Sequence, residues 1–328
     1  MNFMKINDTI YGKFEIEDPV IKELLNSKDF KRLKHISQSG LKHFNISSGT
    51  SYSRWEHSIG VMLLLRKLNA SLNEQITGLL HDVSHTAFSH VIDFVFNTQG
   101  HENYAGEKLK EFLENSDIGK ILKAYNIDLD LIGDYEVHNK FGLLERPIPE
   151  LCADRIDNGL RYMLYSGIGI KGCVDNLTVK NNHIVFESKL SAKKFAEGYL
   201  TGTKNDWGNA ETGLRAHFLS EAIKRGLKIG IVDIKQFYTE TEKSIIKILK
   251  DSKDTEILQN LKRVDSKIKF VFDRNGKIHI KEKIRYVDPE IMEKGRIKKL
   301  TEIDAKYKKA VYEEKKILRK AYKINLVT

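Results

Sequence analysis

Residues 78–90 read GLLHDVSHTAFSH, an apolar run that closes on the adjacent pair His81 and Asp82 and continues to His85 and His90. Across residues 74–83 the apolar positions Ile76, Leu79, Leu80 and Val83 fall three and four apart, the period of one buried helix face. Burying an imidazole or a carboxylate without partners costs several kcal/mol, so something must satisfy the pair. A shared cation is one solution, because imidazole nitrogen and carboxylate oxygen suit Mn, Fe, Zn or, less readily, Mg. A hydrogen-bonded His–Asp pair buried for structural reasons is another, and the residues alone leave both open.

Working outward, YSRWEHSIGV (52–61) opens a helix whose stripe is Val61, Leu64, Leu65 and Leu68, and His57 shares the face of Val61 and Leu64. A third helix is expected over residues 86–96. From Pro147, the segment IPELCADRIDNGLRYMLYSGI (148–168) reads as a helix with Leu151, Asp154, Asn158 and Arg161 on one side, so a carboxylate again turns inward.

Residues 189–262 read as helical, with core candidates over 192–200 and 216–226. VKNNHIVFE (179–187) reads as a short hairpin about Asn181 and Asn182. Residues 267–289 read as a longer hairpin turning at Asn275-Gly276, a pair that tolerates the positive φ of a tight turn. From Glu290 the basic tail, with IDAKYKKAVYEEKKILRKAYK (303–323), reads as a solvated helix. The expected class is mainly α, with one or two small β-hairpins and a C-terminal helix. The expected division is a helical core over 1–260, then a hairpin and basic helix over 261–328.

Totals bound the rest. The chain has 328 residues, 41% of them apolar, enough for one large core or two modest ones. No stretch approaches the ~18 apolar residues of a membrane span, and the amino terminus lacks the order of a secretory signal. Cys152 and Cys173 are too few for a disulfide scaffold or a thiolate metal site. A cytoplasmic protein without membrane contact is expected, holding any metal by His and carboxylate. The net charge of +10 attracts phosphate-bearing partners and is compatible with nucleic-acid contact through a basic surface, though lysine-rich composition alone explains it equally well.

YSRWEHSIGV, GLLHDVSHTAFSH, HEN (101–103) and ADRIDNGLRYMLYSGI (153–168), in this order, resemble the HD-domain phosphohydrolases, in particular their deoxynucleoside triphosphate triphosphohydrolase branch. The resemblance spans roughly residues 29–170 and implies an HD-domain helical core. It implies that His57, His81, Asp82 and Asp154 hold one divalent metal ion (Mn, Fe, Mg, Zn or Ni). It also implies that His85, His90, His101 and Glu102 act beside the metal in proton transfer and water positioning. An ordinary imidazole pKa near ~6.5 suits that work. Arg54 and Arg155 match basic positions beside the ligands and are candidates for phosphate, with Arg215 a third; Asp157 is a candidate to orient a neighbouring arginine or ligand.

Gln38, in RLKHISQSGLKHF (32–44), matches a sugar-contacting glutamine. Asn158 and Tyr162 stand where the triphosphohydrolases usually carry a tyrosine and then an aspartate on the sugar side, so the substrate pocket is altered. The leading expectation is hydrolysis of a dNTP to nucleoside and tripolyphosphate by water attack on the α-phosphorus. Another HD nucleotide phosphatase or phosphodiesterase is the alternative, and a nucleotide or nucleic-acid sensor a third. A homo-oligomer is expected by the same resemblance.

Overall fold

The computed structural model describes residues 3–44, 52–96, 104–134, 140–281 and 283–327. Its centre is the helix Arg54–Lys67. Ser53 starts it with a capping box: the Glu56 N–H donates to Ser53 Oγ at 3.2 Å, and the Ser53 N–H donates to Glu56 Oε2 at 2.8 Å. This helix is buried on every side, because it is the wall between two cores. Ile59, Met62 and Leu63 pack into one with Phe30, Leu79 and Phe88. Val61, Leu64 and Leu65 pack into the other with Leu151, Ile156 and Leu160. The stripe expected from the sequence is therefore one of two.

Ser71 caps the helix Leu72–Leu80, which lies close on 54–67. A Cβ at Gly78 would come within 2.4 Å of Leu65 Cδ1. The helix stops at His81. The helix expected over 86–96 is reduced to Val91–Val95, and residues 81–90 form turns with positive φ at Phe88 (70°) and Ser89 (44°). The cause is tertiary. The Ala87 N–H donates to Phe237 O at 2.8 Å, the Phe88 N–H to Glu242 Oε1 at 3.2 Å, and Ser84 Oγ to Ala105 O at 2.8 Å. Two backbone donors that a helix would need are thus committed elsewhere.

The helix carrying Asp154 runs Ala153–Tyr165, not from Pro147, because Pro147 and Pro149 disfavour helical backbone before them and the Ala153 N–H goes to Leu143 O. Lys189–Gly202, Ala210–Lys228, Glu242–Asp251 and Thr255–Asp265 follow as expected helices.

Strands β1 (Met4–Asp8) and β2 (Gly12–Ile16) pair at the amino end. β3 (Leu177–Lys180) and β4 (His183–Phe186) form the expected hairpin, with Asn181 and Asn182 both at positive φ. The second expected hairpin does not form: β5 (Phe270–Phe272) and β6 (Ile278–Ile280) each pair with the C-terminal strand β9 (Tyr322–Leu326), which lies between them. Gly276 makes room for it, since a Cβ there would lie 2.3 Å from Ile324 N.

The tail is only partly helical. β7 (Glu290–Glu293) and β8 (Arg296–Lys299) extend the β3–β4 hairpin into a four-stranded sheet, and Ala305–Leu318 is the helix, burying Tyr307, Val311 and Leu318. Among the described residues no helix is long and apolar enough to cross a membrane.

Candidate metal centre

His57, in the first turns of 54–67, is fully buried between two carboxylates of 153–165. Its Nδ1 lies 2.7 Å from Asp157 Oδ2 and its Nε2 lies 2.9 Å from Asp154 Oδ1. Asp157 is held in turn by Arg161 Nε at 2.8 Å, and Arg161 Nη2 donates to Asp8 Oδ2 at 2.8 Å. With Nδ1–H on Asp157, the lone pair of His57 is on Nε2.

His81, at the end of its helix, has Nδ1 2.7 Å from Gly78 O, which fixes the same tautomer. Its Nε2 is buried without a hydrogen-bond partner, 3.7 Å from Asp154 Oδ1 and 3.6 Å from Asp82 Oδ2. Donor atoms of His57, His81 and Asp154 all lie within 4.8 Å of one another. Asp82 stands at the edge of this group, 3.8 Å from His57 Nε2, with Arg54 Nη1 donating to it at 2.5 Å.

Two imidazoles with Nδ1 tied back, an orphaned Nε2 and flanking carboxylates fit a divalent cation well. The protonation balance agrees. Burial depresses the His57 pKa, but hydrogen bonds to Asp154 and Asp157 outweigh it and hold it near about 9. Burial likewise opposes ionisation of Asp82 and Asp154, yet the charge of Arg54 on one and, on the other, the hydrogen bond from His57 with the nearby His81 imidazole keep both well below the usual carboxylate range. The corner is rich in negative charge that protons or a cation must offset. A second group, Glu145, Cys152 and Asp154, shares the last carboxylate, but the Arg155 guanidinium already sits on Glu145.

The centre opens on a cavity of about 660 Å³, lined by His81, Asp82, His85, His90 and Asp154 among others. His85 Nε2 is 3.3 Å from Asp82 Oδ1, and burial with the Arg54 charge lowers its pKa to about 3, far from the ordinary value assumed for proton transfer. It therefore steadies Asp82 as a neutral donor. His90 Nδ1 is 3.3 Å from Asp93 Oδ2 on the same wall. His101 and Glu102 lie outside the described residues.

Arg54 and Arg155 both line the cavity, but their donors are engaged. Arg54 reaches Ser89 Oγ (2.9 Å), Asp82 and Gln38 O (3.3 Å). Arg155 clamps Glu150 O at 2.6 Å, Glu145 and Arg146 O. Arg215, the third candidate, binds Val264 O and Glu211 and is not a lining residue.

Gln38 lines the cavity with its Oε1 buried and unpartnered. Asn158 lines it too, its Oδ1 accepting from Tyr52 Oη at 2.5 Å. Tyr162 does not; its ring packs on Trp207 at 5.2 Å. Sequence reasoning missed Tyr199, Asp206, Trp207, Lys283 and Arg285, which also line the cavity. They come from segments with no motif, joined to the site only by the tertiary fold.

Gly60 admits the second layer. A Cβ there would lie 2.0 Å from Asp157 Oδ1 and 2.2 Å from Arg161 Nη2. Gly60→Ala should therefore push Asp157 off His57 and cost about 1–3 kcal/mol of stability by overpacking. Calorimetric melting together with a Mn²⁺ titration checks this; an unshifted melt and an unchanged affinity would contradict it.

The family model for the HD domain matches residues 54–158. The uncharacterized protein YdhJ of Bacillus subtilis is 36% identical over 294 residues, 88% of each chain. The chain belongs to the HD-domain family of metal-dependent phosphohydrolases. Metal-dependent phosphohydrolase cns2 of Cordyceps militaris is similar to this HD-domain protein at 27% identity over 304 residues, 90% of this chain and 86% of that one. Deoxynucleoside triphosphate triphosphohydrolase SAMHD1 of Gallus gallus is 30% identical over 152 residues, 39% of this chain and 24% of its own. The HD-domain match takes in His57, His81, Asp82 and Asp154, and the family implies a divalent metal.

Proposed function

We propose that this HD-domain phosphohydrolase hydrolyses deoxynucleoside triphosphates to nucleoside and tripolyphosphate, with His57, His81, Asp82 and Asp154 holding one divalent cation. The observation that carries the reading is the unpartnered His81 Nε2 beside His57 Nε2 and Asp154 Oδ1 at a cavity wall. A cation held there would supply Lewis-acid charge to the phosphoryl group. The chain's own residues do the remainder. Gln38 offers its unpaired Oε1 to a sugar hydroxyl, and a buried acceptor of that kind discriminates strongly. His90, oriented by Asp93, is available to the leaving oxygen. Arg54 keeps Asp82 ionised and aimed. Lys283 and Arg285 line the same cavity and add positive charge for a phosphate chain.

A second reading, a nucleotide monoesterase, is favoured by Asn158 at the sugar position and by Arg54 and Arg155 being engaged with protein acceptors. Incubation of the purified protein and Mn²⁺ with each dNTP and each nucleoside monophosphate, resolved by anion-exchange chromatography, separates the two. Tripolyphosphate is the expected product. Orthophosphate released from monophosphates supports the second reading, and no turnover with any of several divalent cations overturns both.

A further inference from the structure

Glu242, the first residue of the helix Glu242–Asp251, is fully buried and does not line the cavity. Its Oε1 accepts from the Ser37 N–H at 2.9 Å, from Ser37 Oγ at 2.9 Å and from the Phe88 N–H at 3.2 Å; its Oε2 is also 2.9 Å from Ser37 Oγ. His43 Nε2 stands 3.5 Å from Oε2 at the outer edge. One carboxylate thus ties together two segments that local structure would not hold in place. Phe88 and Ser89 are consecutive non-glycine residues at positive φ, each a conformation that surrounding contacts must maintain. The facing loop is pressed so close that a Cβ at Gly40 would lie 2.0 Å from Phe88 O.

The hydrogen bonds continue inward from there. Ser89 Oγ donates to Ser37 O at 2.6 Å and accepts from Arg54 Nε at 2.9 Å, while Arg54 Nη1 donates to Asp82 Oδ2 at 2.5 Å. We infer that Glu242 is a positioning residue of the metal centre, setting the orientation of Asp82 through Ser37, Ser89 and Arg54. This rests on the reading of Asp82 as a ligand. Nothing in the local sequence of Glu242 reports the role; it follows from one carboxylate serving the two loops that flank Arg54. A purely structural residue at this place would alter melting without altering how the centre grips a cation.

The test is the dissociation constant for Mn²⁺ alone, by titration calorimetry on the full chain, for the wild type, Glu242→Ala, Glu242→Gln, Ser89→Ala and the Glu242→Ala/Ser89→Ala double variant. Partners outside the ligand shell are worth ~10–100-fold in affinity. Glu242→Ala and Ser89→Ala should each weaken binding about 10-fold, and the double variant no further than the weaker single one, because both cut one chain. Glu242→Gln, whose Oε1 still accepts from Ser37 and Phe88, should stay within about 3-fold of wild type on the same scale. If Glu242→Ala does not fold, Ser89→Ala decides alone. Unchanged affinity in the variants, or losses that multiply in the double variant, overturns the relay while the metal reading stands. A wild type that binds no Mn²⁺ overturns both.

Discussion

Asp154→Ala should reduce phosphohydrolase turnover at least about 10³-fold, equivalent to about 4 kcal/mol of barrier, and bring bound metal to background. Asp154 Oδ1 faces both imidazoles, at 2.9 Å from His57 Nε2 and 3.7 Å from His81 Nε2, and it approaches His57 more closely than Asp82 Oδ2 does at 3.8 Å. Without it the centre keeps two neutral donors and Asp82, whose charge Arg54 already offsets. The fold should survive, because the Asp154 side chain is 30% exposed at the start of its helix and its neighbours His57 and Arg155 keep Asp157 and Glu145 as partners. Metal content by mass spectrometry, turnover on whichever nucleotide the product assay selects, and a melting curve make the test complete. A chelator should reproduce the loss in the wild type and added Mn²⁺ should reverse it, whereas the variant should not recover. Near-normal turnover by Asp154→Ala would remove this carboxylate from the chemistry.

The helices that carry His57, His81 and Asp154 were legible because their signals are local. Apolar spacing set the faces of His57 and Asp154 and the run that closes on His81. What misled was decided at long range. The run through Ala87 looked helical until Phe237 O and Glu242, some 150 residues on, took its backbone donors. The Asn275-Gly276 signal was sound turn chemistry, yet β9 enters between the strands it was expected to join. Arg54 and Arg155 carry the charge a phosphate needs, but a sequence does not reveal that Ser89, Asp82, Glu145 and backbone carbonyls have already claimed their donors. Tyr162 packs against Trp207, which lines the cavity in its place.

Asp157→Ala is expected to damage stability and metal affinity together, by separable routes. Asp157 and Arg161 are both fully buried, and Asp157 Oδ2 serves His57 Nδ1 at 2.7 Å and Arg161 Nε at 2.8 Å. Removing one member of a buried ion pair costs about 3–5 kcal/mol, because the other charge remains desolvated. Here Arg161 would keep only Asp8. The second loss concerns His57: without an acceptor on Nδ1 its tautomer and ring orientation are no longer fixed, which should weaken metal binding ~10–100-fold. Pairing the change with Arg161→Met removes the stranded guanidinium. Asp8 then still accepts from the Ile10 and Tyr11 N–H groups through Oδ1, at 2.8 and 3.0 Å. The double variant should accordingly recover much of the melting temperature and none of the metal affinity, since nothing has been returned to His57. Melting by calorimetry and Mn²⁺ titration on the three proteins read the two losses apart. If affinity recovers along with stability, Asp157 acts on the centre only by holding the fold, and the cation itself, by taking Nε2, is enough to leave the His57 proton on Nδ1.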